Sequence, residues 1–378
     1  MAANRAVFTI ATKSYLAYAR VMGKEMGARH PETPFYVFLA DQPDGCFEPD
    51  QEPFTIVPLK DFFPPELMAT MPGYYTAYEF CNALKAFAHF YLAEKIGTER
   101  WFYLDSDIFL CGSLEPLFKD LDDCSILLTS HILKPFDLRI SEQLELNILR
   151  TGTYNGGFVG LRNTGVAMKF LSWWKERLIW HCLGDQPGLE ADQTWLNFVP
   201  VLFPEVKILR KPEVNVAYWN LHERELELEA DGDFRVDGVQ MPFLHFSGWD
   251  WRNPDQVTRH VRIILGNSTK AWVSLSRAFA ARLEEASIQT TSAWPYSFSK
   301  SSNGREITAT MRRNFRYHCL KRRDQPIETT VFAKPEMFHK LEDRPTPMSS
   351  SRKWVKARIK ALLRTIGYRR TDRVAKPI

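Results

Sequence analysis

The sequence lacks any stretch approaching the ~20 consecutive apolar residues of a membrane-crossing helix, which rules out ordinary helical spans as its organising feature. CxxC pairs are missing too. The six cysteines (Cys46, Cys81, Cys111, Cys124, Cys182 and Cys319) are scattered, which argues against a zinc ribbon or a disulfide scaffold and for buried free thiols in a reducing compartment. There is no internal repeat, so a solenoid is not expected. The opening "MAANRAVFTIATK" has an apolar piece too short for a secretory signal, and the expectation is a cytoplasmic chain that meets a membrane at most from one side. Neither sign of charge dominates, with 49 basic against 45 acidic residues. That balance hides an asymmetry, because Arg352 to Arg373 holds nine basic residues against Asp372 alone and leaves the remainder mildly acidic.

What is present is a large apolar inventory: 378 residues, 45% hydrophobic and 13% aromatic, enough for a sizeable core. "AVFTIAT" reads as a buried strand and "SYLAYARVMGKEM" as a helix with Ser14 as its N-cap. "PFYVFLAD" and "FTIVPL" read as further strands, "YEFCNALKAFAHFYLAEKI" as a long helix, and "WFYLDSDIFL" as one strand. A helix is expected over "GVAMKFLSWWKERLIW", another from "ADQTWLNFVP", a hairpin at "EADGDFRVDG" and a strand at "MPFLHFSGW". Strands alternating with helices predict an α/β fold with a mostly parallel sheet flanked by helices. The expected division is a core over 1–255, a helical and loop extension over 256–330, and a basic tail over 331–378.

Asp105 and Asp107 end an apolar run one residue apart. On a strand, side chains alternate, so the two carboxylates would share a face while Ser106 points away. Converging carboxylates repel unless a cation joins them, and hard oxygen ligands suit Mg²⁺ or Mn²⁺. A capping or surface role is the competing reading. Two other D-x-D triplets, Asp120-Leu121-Asp122 in a polar stretch and Asp231-Gly232-Asp233 in a turn-like one, do not follow buried-strand runs. His245 ends a second apolar run and is either a third ligand or an ordinary hydrogen-bonded histidine. "YNGGFVGL" sets Asn155 beside Gly156 and Gly157, as close approach to a ligand or a tight strand connection would require. Asp192 and Gln193 fall at a helix start, where Asp192 is by default an N-cap.

In this order, "FTIATKSYLAYARVM", Lys85 in "CNALKAF", "YLDSDIFL", "YNGGFVGLR", "ADQTWLN" and "LHFSG" resemble a GT-A fold, nucleotide-sugar glycosyltransferase, closest in arrangement to glycosyltransferase family 8. The resemblance runs from about Arg5 to Trp251. It implies a Rossmann-like GT-A sheet, with Asp105, Asp107 and His245 holding Mn²⁺ or Mg²⁺ on the donor diphosphate. Ala11, Thr12 and Tyr15 would lie near the base and ribose, Lys85 near the phosphates or donor sugar, and Ser106 beside the donor. Asn155, Gly156 and Gly157 would line the sugar and acceptor side, and Asp192 and Gln193 would hold the transferred sugar near its anomeric carbon. The implied donor is a nucleotide sugar, with UDP as the nucleotide although Thr12-Lys13 stands where the family carries an acidic residue or Asn. The acceptor would be a glycan or lipid-linked glycan, transferred with retention, as in bacterial surface polysaccharide synthesis.

"SRKWVKARIKALLRTIGYRR" sets Val355, Ile359, Leu362, Leu363 and Ile366 on one stripe ringed by basic residues. An anionic membrane surface is its expected partner, in preference to its own domain or to nucleic acid, and "TMRRNFRYHCLKRRD" could add to the same face. Two other function classes are open. One is a phosphotransferase with Asp105 as nucleophile, which the bulky Ile108-Phe109 disfavours. The other is a non-catalytic carbohydrate-binding or scaffold protein.

Overall fold

The computed structural model describes residues 4–322 apart from 185, 231, 262 and 264, and the basic stripe of the tail falls outside the described residues. Twelve strands are described: β1 (Arg5–Ala11), β2 (Phe35–Leu39), β3 (Thr55–Val57), β4 (Arg100–Leu104), β5 (Ile108–Leu110), β6 (Ile126–Ser130), β7 (Tyr154–Arg162), β8 (Val206–Leu209), β9 (Leu226–Leu228), β10 (Phe234–Val236), β11 (Val239–Gln240) and β12 (Phe243–His245). Seven form one sheet in the order β3-β2-β1-β4-β7-β6-β8. Every neighbouring pair runs parallel except those made by β7, which is antiparallel to both β4 and β6. β9 to β11 form a small antiparallel sheet, the hairpin read from "EADGDFRVDG", and β12 pairs with β5 alone.

The sheet is buried on both faces, which is why its strands read as continuous apolar runs rather than alternating ones. Phe8, Trp101, Tyr103, Val159 and Leu161 pack to one side with the helices Ala77–Phe90 and Gly165–His181. Val7, Phe102, Leu104 and Phe158 pack to the other with the helix Leu16–Arg29. The helix Thr269–Glu285 enters a third cluster, where Trp272, Leu275 and Phe279 meet Tyr18, Val21, Phe109 and Leu244.

Four expectations need correction. "WFYLDSDIFL" is two strands, β4 and β5, separated by a tight turn in which the Ile108 N–H donates to the Asp105 carbonyl at 3.0 Å. Strand alternation therefore does not explain how the aspartates face one another. Ser14 lies inside a short 3₁₀ turn, Lys13–Tyr15, and caps nothing; its hydroxyl shares a hydrogen bond with Thr12 at 2.9 Å. The segment from Gln193 to Phe198 is a 3₁₀ turn whose leading residue, Asp192, makes no side-chain cap bond because its carboxylate is taken by Lys85. Finally, the arginines of the helix Ala309–Leu320 turn inward. Arg312 donates to the carbonyls of Pro72, Tyr75 and Phe298, Arg313 pairs with Glu79, and Arg316 donates to the Trp180 carbonyl. Orphan carbonyls and a buried carboxylate claim these charges before a membrane surface could. Among the described residues, no helix is long and apolar enough to cross a membrane.

Candidate metal and donor site

The site lies where β4 and β1 end side by side, the edge of a parallel sheet at which ligands gather. Wholly buried Trp101, Phe102 and Leu104 fix β4 between β1 and β7, with Leu104 opposite Phe158. One residue on, the Asp105 N–H still donates to the Gly157 carbonyl at 2.9 Å, so the turn begins anchored to β7. After the turn β5 pairs with β12, setting His245 opposite Ile108, and the Phe246 N–H donates to the Asp107 carbonyl at 3.0 Å.

The consequence is a convergent cluster. One ligand atom from each of Asp105, Asp107 and His245 lies within 4.8 Å of the others. His245 Nε2 stands 3.1 Å from Asp107 Oδ1 and 3.7 Å from Asp105 Oδ2. Two carboxylate charges this close repel by roughly 3–4 kcal/mol at an effective dielectric of about 20, so the arrangement needs positive charge. Gly157 makes room for it, since a Cβ there would sit 2.8 Å from Asp105 Oδ2 and press on the imidazole of His245. Two hard carboxylates, one imidazole nitrogen and a backbone kept clear beside them fit Mn²⁺ or Mg²⁺.

Behind the cluster lies a buried ion network. Lys85, 1% exposed, sits in the third turn of the helix Ala77–Phe90, which a capping box between Thr76 and Glu79 starts. Its ammonium lies 3.0 Å from Asp192 Oδ2 and 3.5 Å from Asp105 Oδ1, donates to the Gly156 carbonyl at 2.9 Å, and stands over the Tyr103 ring. The Tyr103 hydroxyl donates to Asp105. Burial by itself would lower the Lys85 pKa, but the charges of Asp105 and Asp192 outweigh it and raise it. Burial likewise works against the charged form of Asp105, and Lys85 and His245 overcome it, leaving its carboxyl below the usual value. Asp192 goes the other way: burial, helped by the Asp105 charge, prevails over Lys85 and pushes its carboxyl up to about 6. For His245, burial works to lower the pKa, and Asp107 and Asp105 together overcome it and raise it.

Of the residues singled out from sequence, the fold brings Lys85, Asp105, Asp107, Gly156, Gly157, Asp192 and His245 into contact around this cluster. Ser106 crests the turn between the two aspartates. Gly156 is as constrained as Gly157, because its Cβ would lie 2.7 Å from Asp192 Oδ2. Asn155 and Gln193 are adjacent but committed to the protein. Gln193 Oε1 accepts from Asn155 Nδ2 and the Gly156 N–H, while its Nε2 donates to the Thr151 carbonyl. Ala11 and Thr12 are buried at the end of β1, and Tyr15, 48% exposed, stacks on Tyr18 at 5.2 Å. Among the control triplets, Asp120 is bound by Lys207 and Lys211 at 2.9 and 2.6 Å, an ordinary ion pair at the sheet edge.

Sequence reasoning missed Tyr103, His131, Asn215 and Trp219. His131 is buried, its pKa lowered to about 4 by burial, and its Nε2 lies 3.3 Å from Asn155 Nδ2. Tyr103 was detectable, since its strand position is fixed by the run before Asp105. The others come from loops whose positions no periodicity signals.

No family model matches the chain. It is 30% identical to the uncharacterized protein YfnF of Bacillus subtilis (strain 168) over 175 residues, 45% of this chain and 57% of that one. It is 27% identical to YfnD of the same strain over 202 residues, 52% of this chain and 62% of that one. The chain thus spans less than two thirds of the length of the curated relatives it matches. Among solved structures it is similar to the galactosyltransferase LgtC in complex with donor and acceptor sugar analogs, at 17% identity and a TM-score of 0.41 over 77% of this chain and 97% of that one. It is also similar to the glycosyltransferase GlyE of Streptococcus pneumoniae TIGR4, at 13% identity and a TM-score of 0.41 over 76% of this chain and 64% of that one.

Proposed function

We propose that the protein is a metal-dependent glycosyltransferase that moves a sugar from a nucleotide-sugar donor to a glycan or lipid-linked acceptor. The observation that carries the reading is the convergence of Asp105, Asp107 and His245 on one point at the end of β4, with Lys85 tying Asp105 to Asp192 behind it. Asp105, Asp107 and His245 hold Mn²⁺ or Mg²⁺. The bound ion supplies Lewis-acid stabilisation of the charge that grows on a departing nucleoside diphosphate.

The chain's own residues do the rest. Lys85 keeps Asp105 ionised and holds the Asp192 carboxyl in place. A glycosyl transition state is oxocarbenium-like, and the Asp192 carboxylate facing it provides stabilising negative charge. Gln193 braces Asn155 and Gly156, so the glycine edge of β7 stays open for the sugar. Ala11, Thr12 and Tyr15 border the nucleoside side at the end of β1. We assign a UDP-sugar as donor, retention of configuration, and work on the cytoplasmic side in bacterial surface polysaccharide synthesis.

A phosphotransferase with Asp105 as nucleophile fits less well, because one oxygen of that carboxylate is already engaged by the Tyr103 hydroxyl and Lys85. A pure carbohydrate-binding role leaves the acid pair and histidine without purpose. The deciding experiment is release of free nucleoside diphosphate from a panel of nucleotide sugars, with Mn²⁺, with Mg²⁺ and with chelator. Metal-dependent release from one donor is expected. No metal-dependent release from any donor, together with no metal-dependent binding of any donor to the protein, would refute the reading.

A further inference from the structure

Three buried polar atoms near the metal-ligand cluster have no hydrogen-bond partner: Nδ1 of His245, Oδ1 of Asn215 and Nε1 of Trp219. Native interiors seldom leave such atoms unserved, and each instance calls for a cause. One of the three is on the His245 imidazole, a second is on the indole packed against it, and the third is on the residue preceding its backbone partner. The His245 N–H donates to the carbonyl of Val216, next in sequence to Asn215, and the Trp219 ring meets the His245 ring edge-on at 5.2 Å. Their chemistry is complementary, because the indole N–H and a protonated Nδ1 donate while a carboxamide oxygen accepts.

The orientation of Asn215 is forced. The Gly157 N–H donates to Asn155 Oδ1, so that atom is an acceptor; Asn215 must turn its NH₂ toward it at 3.1 Å, and toward Thr129 Oγ1 at 2.9 Å. Its oxygen therefore points away from both. The backbone there is held at φ +56°, a left-handed conformation that asparagine and glycine adopt more readily than other residues, at a position fully buried from solvent.

We propose that Asn215 is the positioning residue for His245: Nδ1–H donates to one buried water that in turn donates to the Asn215 carboxamide oxygen, fixing the tautomer whose Nε2 faces Asp105 and Asp107. Two donors, His245 Nδ1–H and Trp219 Nε1–H, and one acceptor are a partner set that one buried water satisfies. The inference rests on the metal reading above. Through Gly157 and Asn155 the same residue is also linked to the turn that carries Asp105.

The test compares two variants of the full chain. Asn215→Gly tolerates the left-handed backbone and removes the carboxamide; Asn215→Asp keeps an acceptor oxygen but loses the NH₂ donor. Mn²⁺ affinity is measured by electron paramagnetic resonance, and the His245 tautomer by ¹⁵N NMR of histidine-labelled, metal-free protein at a pH where the imidazole is neutral. Asn215→Gly should weaken Mn²⁺ binding by roughly 10–100-fold, the usual cost of losing a metal ligand's hydrogen-bond partner, and should shift the proton from Nδ1. Asn215→Asp should retain affinity within about 3-fold, well inside that loss, and keep the Nδ1–H form. A merely structural role predicts equal losses in both, since both forfeit the bonds to Asn155 and Thr129. Equal losses, or an unchanged tautomer in Asn215→Gly, would overturn the proposal. If the glycine variant does not fold, the aspartate variant decides, because loss of the Nδ1–H form there is also contrary. Wild-type protein that binds no Mn²⁺ would instead refute the metal reading itself.

Discussion

Replacing Lys85 by methionine is the sharpest probe of the buried network. The substitution roughly conserves volume but deletes the positive charge shared by Asp105 and Asp192, whose nearest oxygens lie 3.5 and 3.0 Å from the ammonium, together with its bond to the Gly156 carbonyl. Breaking a buried pair by removing one partner costs about 3–5 kcal/mol, because the remaining charge stays out of water. With side chains 2% and 3% exposed, Lys85 and Asp192 meet that condition, whereas Asp105 at 30% can recover some hydration. The expected loss is therefore about 3 kcal/mol, read as a shift in the urea midpoint at pH 7 with unchanged m. Adding Asp192→Asn removes the stranded carboxylate and should restore more than half of it. A loss below about 1 kcal/mol, the range of an exposed pair, would refute the account. So would a double variant no more stable than Lys85→Met alone, since the cost would then lie in packing rather than in uncompensated charge.

Further outcomes follow from the same geometry. The Asp192 carboxyl is raised from 3.8 to about 6 in the folded state, so its stabilising contribution is complete below pH ~4 and is lost as pH rises through 6. Asp192→Asn should accordingly gain about 2.4 kcal/mol relative to wild type between pH 4 and pH 7, measured by denaturant titration at each pH, and a flat difference would contradict the raised value. Saturating Mn²⁺ at about 100 times Kd should stabilise wild type by about 2.7 kcal/mol and Asp107→Asn far less, as a thermal-shift assay would report. Gly157→Ala should abolish that metal-dependent shift, because its Cβ would meet Asp105 Oδ2 at 2.8 Å, whereas Gly165→Ala, with nothing within 4 Å, should be neutral or stabilising by up to about 1 kcal/mol. Equal behaviour of the two alanine variants would count against the cradle at Gly157.

The strands β1, β2 and β4 and the helix carrying Lys85 were legible in the sequence, because a sheet buried on both faces writes itself as apolar runs and a helix as a 3.6-residue period. The acid pair was legible as chemistry but misread as geometry. A strand would have aligned the carboxylates by alternation; the chain instead makes a turn, and the Asp105–Gly157 and Phe246–Asp107 backbone bonds aim them. His245 could be named a ligand only by analogy, since it stands 138 positions after Asp107 and the β5–β12 pairing brings the two together. Asn215 and Trp219 carry no signal at all in sequence, as isolated polar and aromatic residues in a loop look alike whether they face water or an imidazole. The sequence by itself determined which segments are apolar, which period they follow and which residue types can hold a cation. Tertiary structure decided which of those groups meet, because convergence depends on strand register and on glycines at β7 that admit no Cβ, and both are properties of contacts between distant segments.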